Sequence, residues 1–492
     1  MHRVARNLRL AAVLLAGTAT LGASPVTSPA LADTLREALA AAYIGNPTLE
    51  AARDQLRATD ETVFIQQANG LPSLTTSATY TEYLKQSSSS FISPQRQASG
   101  NLDLTIPLYN GGAVVNNVAA AETRVQAGRA SLRGTESSLF SQVTAAYMDV
   151  IQNEAIVGLT RNNLNVLEIN LQATSDRFEI GDLTRTDVAQ SASRRALALS
   201  DAQTAEANLT RARENYIQLV GLAPVDLQPP PPLPGLPANV AQAVDTALEN
   251  NPDLIAAKER AVAAGFDVNV AGAARLPRIE GFAGSGYQNY LGTLGSVPGT
   301  GAANQSSSSA QAGVRFSVPI FNGGRVSASQ RQAQATQSAA LEQVIGAERQ
   351  VIAQVRGAYA SWQAARAIII STQTAVDAAE LSLEGVRAEN TVGNRTILDI
   401  LDAQQELLRA QVQLVTARRN EYVAGFTLLA AMGRAEARDL GLEGEVPLYD
   451  PAVNFERDRP IFFDWHGDPD PVADATRTVD IPAQDGEIST AP

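Results

Sequence analysis

The chain repeats itself at a long, nearly constant distance, and this limits what it can fold into more than any other feature. Asn46-Pro47 recurs as Asn251-Pro252, and Leu71-Pro72-Ser73-Leu74 recurs as Leu276-Pro277-Arg278-Ile279, each 205 positions later. Ile106-Pro107-Leu108-Tyr109-Asn110-Gly111-Gly112 returns as Val318-Pro319-Ile320-Phe321-Asn322-Gly323-Gly324, now 212 positions later. The larger offset then holds for Tyr147 and Tyr359, Gly181 and Gly393, Asp187 and Asp399, and Gly221 and Gly433. The seven added residues (212 minus 205) therefore fall between the LP and NGG landmarks, in a stretch read as a surface loop. So long a period exceeds that of solenoid repeats, and each copy must be a unit of several elements.

Charge and residue usage remove several classes of function. With 51 acidic and 38 basic residues the net charge is -13, which argues against a nucleic-acid partner. Cysteine is absent, and of the two histidines His2 falls in a leader, leaving His466. Disulfides, thiol chemistry, histidine-based metal sites and a histidine triad are thereby set aside, and no cofactor is assigned. Residues 1–32 read as a signal peptide: His2, Arg3, Arg6 and Arg9 form a basic start, an apolar core opens at Leu10, and Ala30-Leu31-Ala32 offers a cleavage site before Asp33. No later stretch has the ~20 uninterrupted apolar residues of a membrane helix. The mature chain is expected to be periplasmic, secreted, or a membrane β-barrel.

Each repeat changes its hydrophobic period along its length. Residues 33–70 read as helical, interrupted at Gly45-Asn46-Pro47, where Asn can cap and Pro can open a second helix. After Leu71-Pro72, Ser73 to Tyr83 is rich in Thr, Ser and Tyr, and a polar loop containing Ser87 to Ser90 follows. Leu102, Leu104, Ile106 and Leu108 then alternate with Asn101, Asp103 and Thr105. In the second copy Ala312, Val314, Phe316, Val318 and Ile320 alternate with polar or small residues after a loop, 292–310, that carries Ser306 to Ser309. Past each NGG the period becomes seven: Val143, Val150, Val157, Leu164, Leu171 and Phe178, and likewise Val355, Trp362, Ile369, Val376 and Leu383. A helix of about 65 residues, ~100 Å long, is expected. It turns at Gly181 or Gly393 and returns as a shorter antiparallel partner.

The expected organisation is a signal peptide (1–32), a first repeat (33–227), a stiff proline-rich linker (228–237), a second repeat (238–433) and a C-terminal segment (434–492) with an acidic, disordered tail. The fold class is mainly α with a small β part. Two strands of about 11 residues per repeat suit a tilted membrane span. Four strands cannot close a barrel whose smallest bacterial form has about 8, and lipid tolerates no open edge. Other copies of the chain must complete it, and strand arithmetic alone leaves dimer and trimer open.

The order helix, LP-strand, serine-rich loop, strand-PxxNGG, long helix and hairpin, repeated once, resembles the TolC family of outer membrane efflux proteins. Residues 392–403, VGNRTILDILDA, match the family's VGTRTIVDVLDA segment almost throughout, and the resemblance spans about 33 to 433. It implies a homotrimer with a 12-stranded (three times four) outer-membrane barrel and a long α-helical tunnel across the periplasm. It also implies work with a periplasmic adaptor, or membrane fusion protein, and an inner-membrane ABC or RND-type transporter, in type I secretion or tripartite efflux of polypeptides or drugs. Asn390 stands where the family's closing network has a tyrosine. The lipidated branch begins with cysteine where this chain has Asp33, so the barrel alone would anchor it.

The candidate functional residues cluster at the two hairpins. Asp399 and Asp402 are three apart and share a helix face. Thr396-x-x-Asp399 and Thr184-x-x-Asp187 also fit capping boxes, which leaves Asp402 unexplained except as a solvated carboxylate. In a symmetric channel the pair would form a ring selecting cations, and the resemblance favours that role. The resemblance further places Arg395 in a clasp with Thr186 and Asp187. Leu102, Leu104, Ile106, Leu108, Val314, Phe316, Val318 and Ile320 are expected to face lipid. A periplasmic coiled-coil adaptor or an adhesin is the alternative, against which the four alternating strands stand. Catalysis is not expected, because the paired carboxylates have no second constellation beside them.

Overall fold

In a computed structural model the described residues are 34–86, 93–295, 303–461, 463–465 and 467–488. The expected signal peptide, Asp33, Ser87 to Ser90 and His466 lie outside them. The repeat is visible element by element. Helices α1 (Leu35–Gly45), α2 (Pro47–Ala68), α3 (Ala113–Glu179) and α4 (Arg185–Val220) recur as α5 (Val240–Asn250), α6 (Pro252–Ala273), α7 (Arg325–Thr391) and α8 (Ile397–Ala431). Strands β1 (Ser73–Glu82) and β2 (Arg96–Tyr109) recur as β3 (Arg278–Asn289) and β4 (Ser306–Ser317). A short α9 (Pro451–Asp458) follows α8.

The landmark residues explain themselves in three dimensions. Asn46 and Asn251 are both buried, and each caps the helix that its proline opens. Each also donates its Nδ2 at 2.9 Å to a carbonyl at the end of its repeat's returning helix, Leu219 and Ala431 respectively. These acceptors are themselves repeat partners (219 plus 212). In the NGG turns Gly112 and Gly324 are the residues before α3 and α7, with φ of 81° and 80°, a conformation glycine adopts without steric penalty. The repeat-equivalent Tyr147 and Tyr359 pin the two ends of the proline-rich linker, their hydroxyls donating to the carbonyls of Gln228 and Ala238.

The long helices are 67 residues each, ~100 Å. Val143, Val150, Val157, Val355, Trp362, Val376 and Leu383 of the heptad seams are buried, and only near the first tip does the seam open, at Phe178. The larger core gathers α1, α3, α4, the end of α8 and the C-terminal segment around Phe140, Tyr147, Leu209 and Tyr216. A smaller one joins α5, α7 and α8 around Val355, Trp362 and Leu428.

The four strands form one antiparallel sheet in the order β1-β2-β3-β4. Its register sorts the side chains by face, because directly paired residues share a side. Leu104 pairs with Leu74 and Ala283, Ala283 with Ala312, and Ile106 with Gly281, itself opposite Val314. The other face carries Thr75, Asp103, Gly284 and Gln311 in one row and Ser77, Asn101, Gly286 and Ser309 in another. One side of the sheet is mainly apolar and the other mainly polar, with Phe282 on the polar side opposite Thr105 and with Thr76 and Ser285 on the apolar side beside Leu102.

Two expectations for the strands need correction. Ser306 to Ser309 were expected in a loop but begin β4, paired with Tyr287 to Asn289 and neighbouring residues of β3. Tertiary pairing overrides their weak strand preference. Val318 and Ile320 were expected in the strand but lie beyond its end at Ser317. The reason is the ladder: β3 begins at Arg278, which already pairs with Ser317, so residues past 317 have no partner on that side. Their counterparts Ile106 and Leu108 belong to β2 because β3 flanks it on the other edge.

The C-terminal tail also differs from the disordered segment expected. The Thr476 N–H donates to the Gly45 carbonyl at 3.1 Å. Arg213 donates to the carbonyls of Asp485 (3.0 Å) and Glu487 (2.9 Å), and Arg161 to that of Gly486 (3.3 Å). A Cβ at Gly486 would meet Glu206 Cβ at 2.6 Å, so only glycine fits this approach. Composition does not reveal such docking, since arginines of α3 and α4 bind the tail largely through its main chain.

Where α3 meets the C-terminal segment, the Glu136 carboxylate accepts from the Ala437 N–H. Burial pushes this carboxyl up to about 7, outweighing the Ala437 hydrogen bond and the attraction of Arg53 and Arg133, while Glu436 adds to the rise. Unfolded, it titrates near 4.5. The folded chain therefore holds the proton more tightly, and stability should fall as pH rises from about 4.5 to about 7, by roughly 3 kcal/mol. Glu136→Gln keeps an acceptor for Ala437 and is expected to flatten that part of the melting-temperature profile. A profile unchanged by the substitution would assign the dependence to other groups.

Candidate functional site at the hairpin tips

Both hairpins are closed by the same backbone device. In the first, Gly181 (φ 84°) donates to the Phe178 carbonyl at 2.9 Å and Asp182 to that of Arg177 at 2.9 Å. In the second, Gly393 (φ 83°) donates to Asn390 at 3.0 Å and Asn394 to Glu389 at 2.9 Å. This left-handed C-cap satisfies carbonyls that the helix end leaves open. Capping boxes then start the return helices. Thr184 Oγ1 and Thr396 Oγ1 accept from the Asp187 and Asp399 N–H groups, and the two aspartates accept from the threonine N–H groups at 2.9 and 2.8 Å. The threonine hydroxyl and then its N–H hold each aspartate below the usual carboxylate range, with Arg395 a lesser contributor at Asp399.

The charges across the two turns run in opposite order. Arg177 pairs with Asp182 at 2.7 Å in the first hairpin. In the second, Glu389 occupies the Arg177 position and pairs with Arg395 at 2.7 Å, across the same turn. That contact, with the nearby Asp399, raises the Arg395 guanidinium. Asn390 Nδ2 donates to the Arg395 carbonyl at 2.7 Å, so this residue braces the turn.

The expected site residues are only partly brought together. Arg395 lies 3.8 Å from Asp399. Thr186 and Asp187 sit in the first turn of α4, in the other hairpin, and within one chain no described hydrogen bond or ion pair joins them to Arg395. Asp402 binds Arg194 of α4 at 2.5 Å, an ion pair that crosses between the hairpins above a small cluster of Leu167, Ala198 and Leu401. Asp399 is therefore engaged in a cap and Asp402 in an ion pair, though both remain accessible, with 37% and 61% of their side chains exposed. Glu389 and Arg194 are the residues that sequence reasoning missed. A repeat comparison offered a signal for Glu389, since its position exchanges Arg for Glu between copies. Nothing offered one for Arg194, whose partner is 208 positions away.

Among the described residues no cluster could hold a metal ion and no helix is long and apolar enough to cross a membrane. What the architecture supplies is a half-apolar sheet at one end, helices about 100 Å long, and weakly paired charges at the far tips.

Comparison with known proteins agrees with that architecture. The model of a family described as outer membrane efflux protein matches residues 38–222 and again 243–434, once per repeat. The chain is 34% identical over 456 residues to the outer membrane efflux protein BepC of Brucella suis biovar 1, covering 93% of this chain and 96% of that one. It is 28% identical over 314 residues to the outer membrane protein TolC of Escherichia coli, covering 62% and 63% of the two chains. The crystal structure of the Campylobacter jejuni CmeC outer membrane channel shares the fold, with a TM-score of 0.72, 16% identity, and coverage of 86% and 89%. With both repeats matched and a relative aligned along nearly its whole length, the chain belongs to the outer membrane efflux protein family, whose members form export channels reaching from the outer membrane into the periplasm.

Proposed function

We propose that three copies of this chain close one 12-stranded barrel, that their hairpins form a tunnel gated at the tips, and that an adaptor and an inner-membrane ABC or RND-type transporter supply the cargo. The observation that carries the proposal is the equivalence of the repeats. Within the chain β2, the second strand of repeat 1, pairs with β3, the first strand of repeat 2. The same relation, advanced by one repeat, pairs β4 with β1 of the next copy. Leu104 opposite Ala283 then becomes Phe316 (104 plus 212) opposite Ala78 (283 minus 205), and Leu102 opposite Ser285 becomes Val314 opposite Tyr80. Closure leaves no edge, as lipid requires. The helices support the same step: α6 lies against both long helices, α3 and α7, whereas of these two α2 lies against α3 only, and α7 leaves Leu341, Ile345, Ile370 and Leu381 exposed.

Because the chain has no cysteine, this register is directly testable. Val314→Cys with Tyr80→Cys, which share a face, should give a covalent trimer on oxidation, whereas Val314→Cys with Thr79→Cys should not. Cross-linking that stops at a dimer would rule out the three-copy ring.

The apolar face, with Leu102, Leu104, Ile106, Leu108, Val314 and Phe316, is assigned to lipid and the polar face to the lumen, with Val318 and Ile320 at the periplasmic rim. Leu104→Arg should lower assembly into the outer membrane, at about 2–4 kcal/mol near the bilayer centre. Thr105→Arg, pointing to the lumen, should be tolerated. Equal loss in both would refute the assignment of faces.

At the tips, Arg395, Thr186 and Asp187 are assigned to the gate, with contacts between neighbouring hairpins, and Asp399 and Asp402 to an acidic constriction. The contacts are exposed, and exposed pairs are worth ~0–1 kcal/mol, so a docking partner can open them. Arg395→Ser should raise single-channel conductance without lowering trimer stability. Asp402→Asn spares both capping boxes and frees the Arg194 charge, so cation preference should fall. Unaltered ion preference would place the selective constriction elsewhere.

A further inference from the structure

A cavity of about 380 Å³ lies between α2, α3 and the segment after α8, far from the tips. Five arginines line it, Arg53, Arg129, Arg133, Arg434 and Arg438, against three acids, Glu136, Glu436 and Asp439. Several of these charges are already paired. Glu436 binds Arg133 at 2.7 Å, Asp439 lies 3.7 Å from Arg434, and Glu443, just outside, lies 3.5 Å from Arg438. Arg53 is 7% exposed and gives Nη1 to Glu50. Its guanidinium carbon sits 4.5 Å from the Tyr43 ring centroid and 5.2 Å from that of Tyr449, flanked by two aromatic rings.

After this pairing, three buried polar atoms of the lining are left without a hydrogen-bond partner: Arg53 Nη2, Arg129 Nε and Tyr449 Oη. All three can donate. The Tyr43 hydroxyl nearby already accepts from the Tyr449 N–H at 2.9 Å. Among the described residues no carboxylate or amide oxygen of the lining is left over in the same way; one unpartnered acceptor, Oδ1 of the buried Asp60, lies just behind the lining, where the Arg129 charge acts on it, and it leaves the donors in excess. Buried donors that remain unmet are costly, and an excess of donors with an excess of positive charge selects an acceptor that is also an anion.

The second repeat serves as an internal control. At the positions of Tyr43, Arg53, Arg129 and Arg133 it has Leu248, Lys258, Leu341 and Ile345, on helices with the same bounds after the repeat offset. The helical framework therefore does not itself require arginine at 129 or 133. We propose that this cavity binds a small oxyanion, a phosphate or carboxylate group, at one site per chain. Arg129 lies 17 residues beyond Gly112 along α3, about 25 Å from the ends of the strands. On the reading of those strands as the membrane span, membrane headgroups do not reach the site and the ligand is a periplasmic solute.

The test uses the full-length assembled protein in detergent, exchanged into a buffer free of phosphate and carboxylates. Titration with inorganic phosphate, and separately with acetate, should show saturable binding of one anion per chain by calorimetry for at least one of them, and which one binds identifies the ligand class. Arg129→Leu, the residue the second repeat carries there, should weaken binding at least roughly tenfold while single-channel conductance stays unchanged. Tyr449→Phe, which removes one donor and keeps the ring, should weaken it by a few-fold and serves if the first variant fails to assemble. Absence of saturable binding to either anion, or binding that both variants leave intact, would overturn the proposal and leave water to meet the three donors. Neither result depends on the strand register or on the gate.

Discussion

Everything in this protein follows from the need to satisfy backbone hydrogen bonds in a place without water. A four-stranded sheet has two open edges, and in lipid each unpaired N–H or carbonyl costs several kcal/mol. The chain cannot escape that cost alone. Its sheet is already sorted into an apolar and a polar face, so it is fit to separate lipid from a lumen but lacks the strands to do so. The helical part is built for the same circumstance. Beneath a closed ring of strands, helices about 100 Å long continue the wall where water is available and need only bury a seam.

Most of the architecture could be read from the sequence because duplication prints each signal twice. The LP, NGG and Asn-Pro landmarks all mark places where the backbone does something only those residues do well. Asn251 repeats the cap and the cross-link of Asn46, and Gly324 repeats the positive φ of Gly112. Most of the heptad positions likewise proved to be the buried seam, with Phe178 at the first tip the exposed one. Where reading failed, the cause was a partner distant in sequence. Ser306 to Ser309 look like a loop until β3 lies beside them, and Val318 looks like strand until the pairing stops short of it. The tail docks through backbone carbonyls, which leave no mark on composition.

The tips show the same division. The two capping boxes were legible, since their residues are three apart, and both are formed. The ion pair between Arg194 and Asp402 was not, because it joins separate hairpins. It changes the meaning of Asp402, which is matched to a cation within its own chain. Glu389 likewise gives Arg395 a partner inside its hairpin, so any contact between hairpins must compete with that pair.

The reversed charge order across the two turns bears on how a ring of such hairpins can come apart. Six hairpins of one sequence would meet at six identical joints, and loosening one would loosen all. Here Arg177 precedes its acid while Glu389 precedes its base, so in a ring of three copies the hairpins would alternate and two kinds of joint would alternate with them. One kind lies within a chain and is backed by the covalent connection and by Arg194 on Asp402. The other kind would lie between chains, where no covalent connection joins the two hairpins. In a ring of three copies the duplication lowers the symmetry from six to three, so the six joints fall into two sets of three with different charge order.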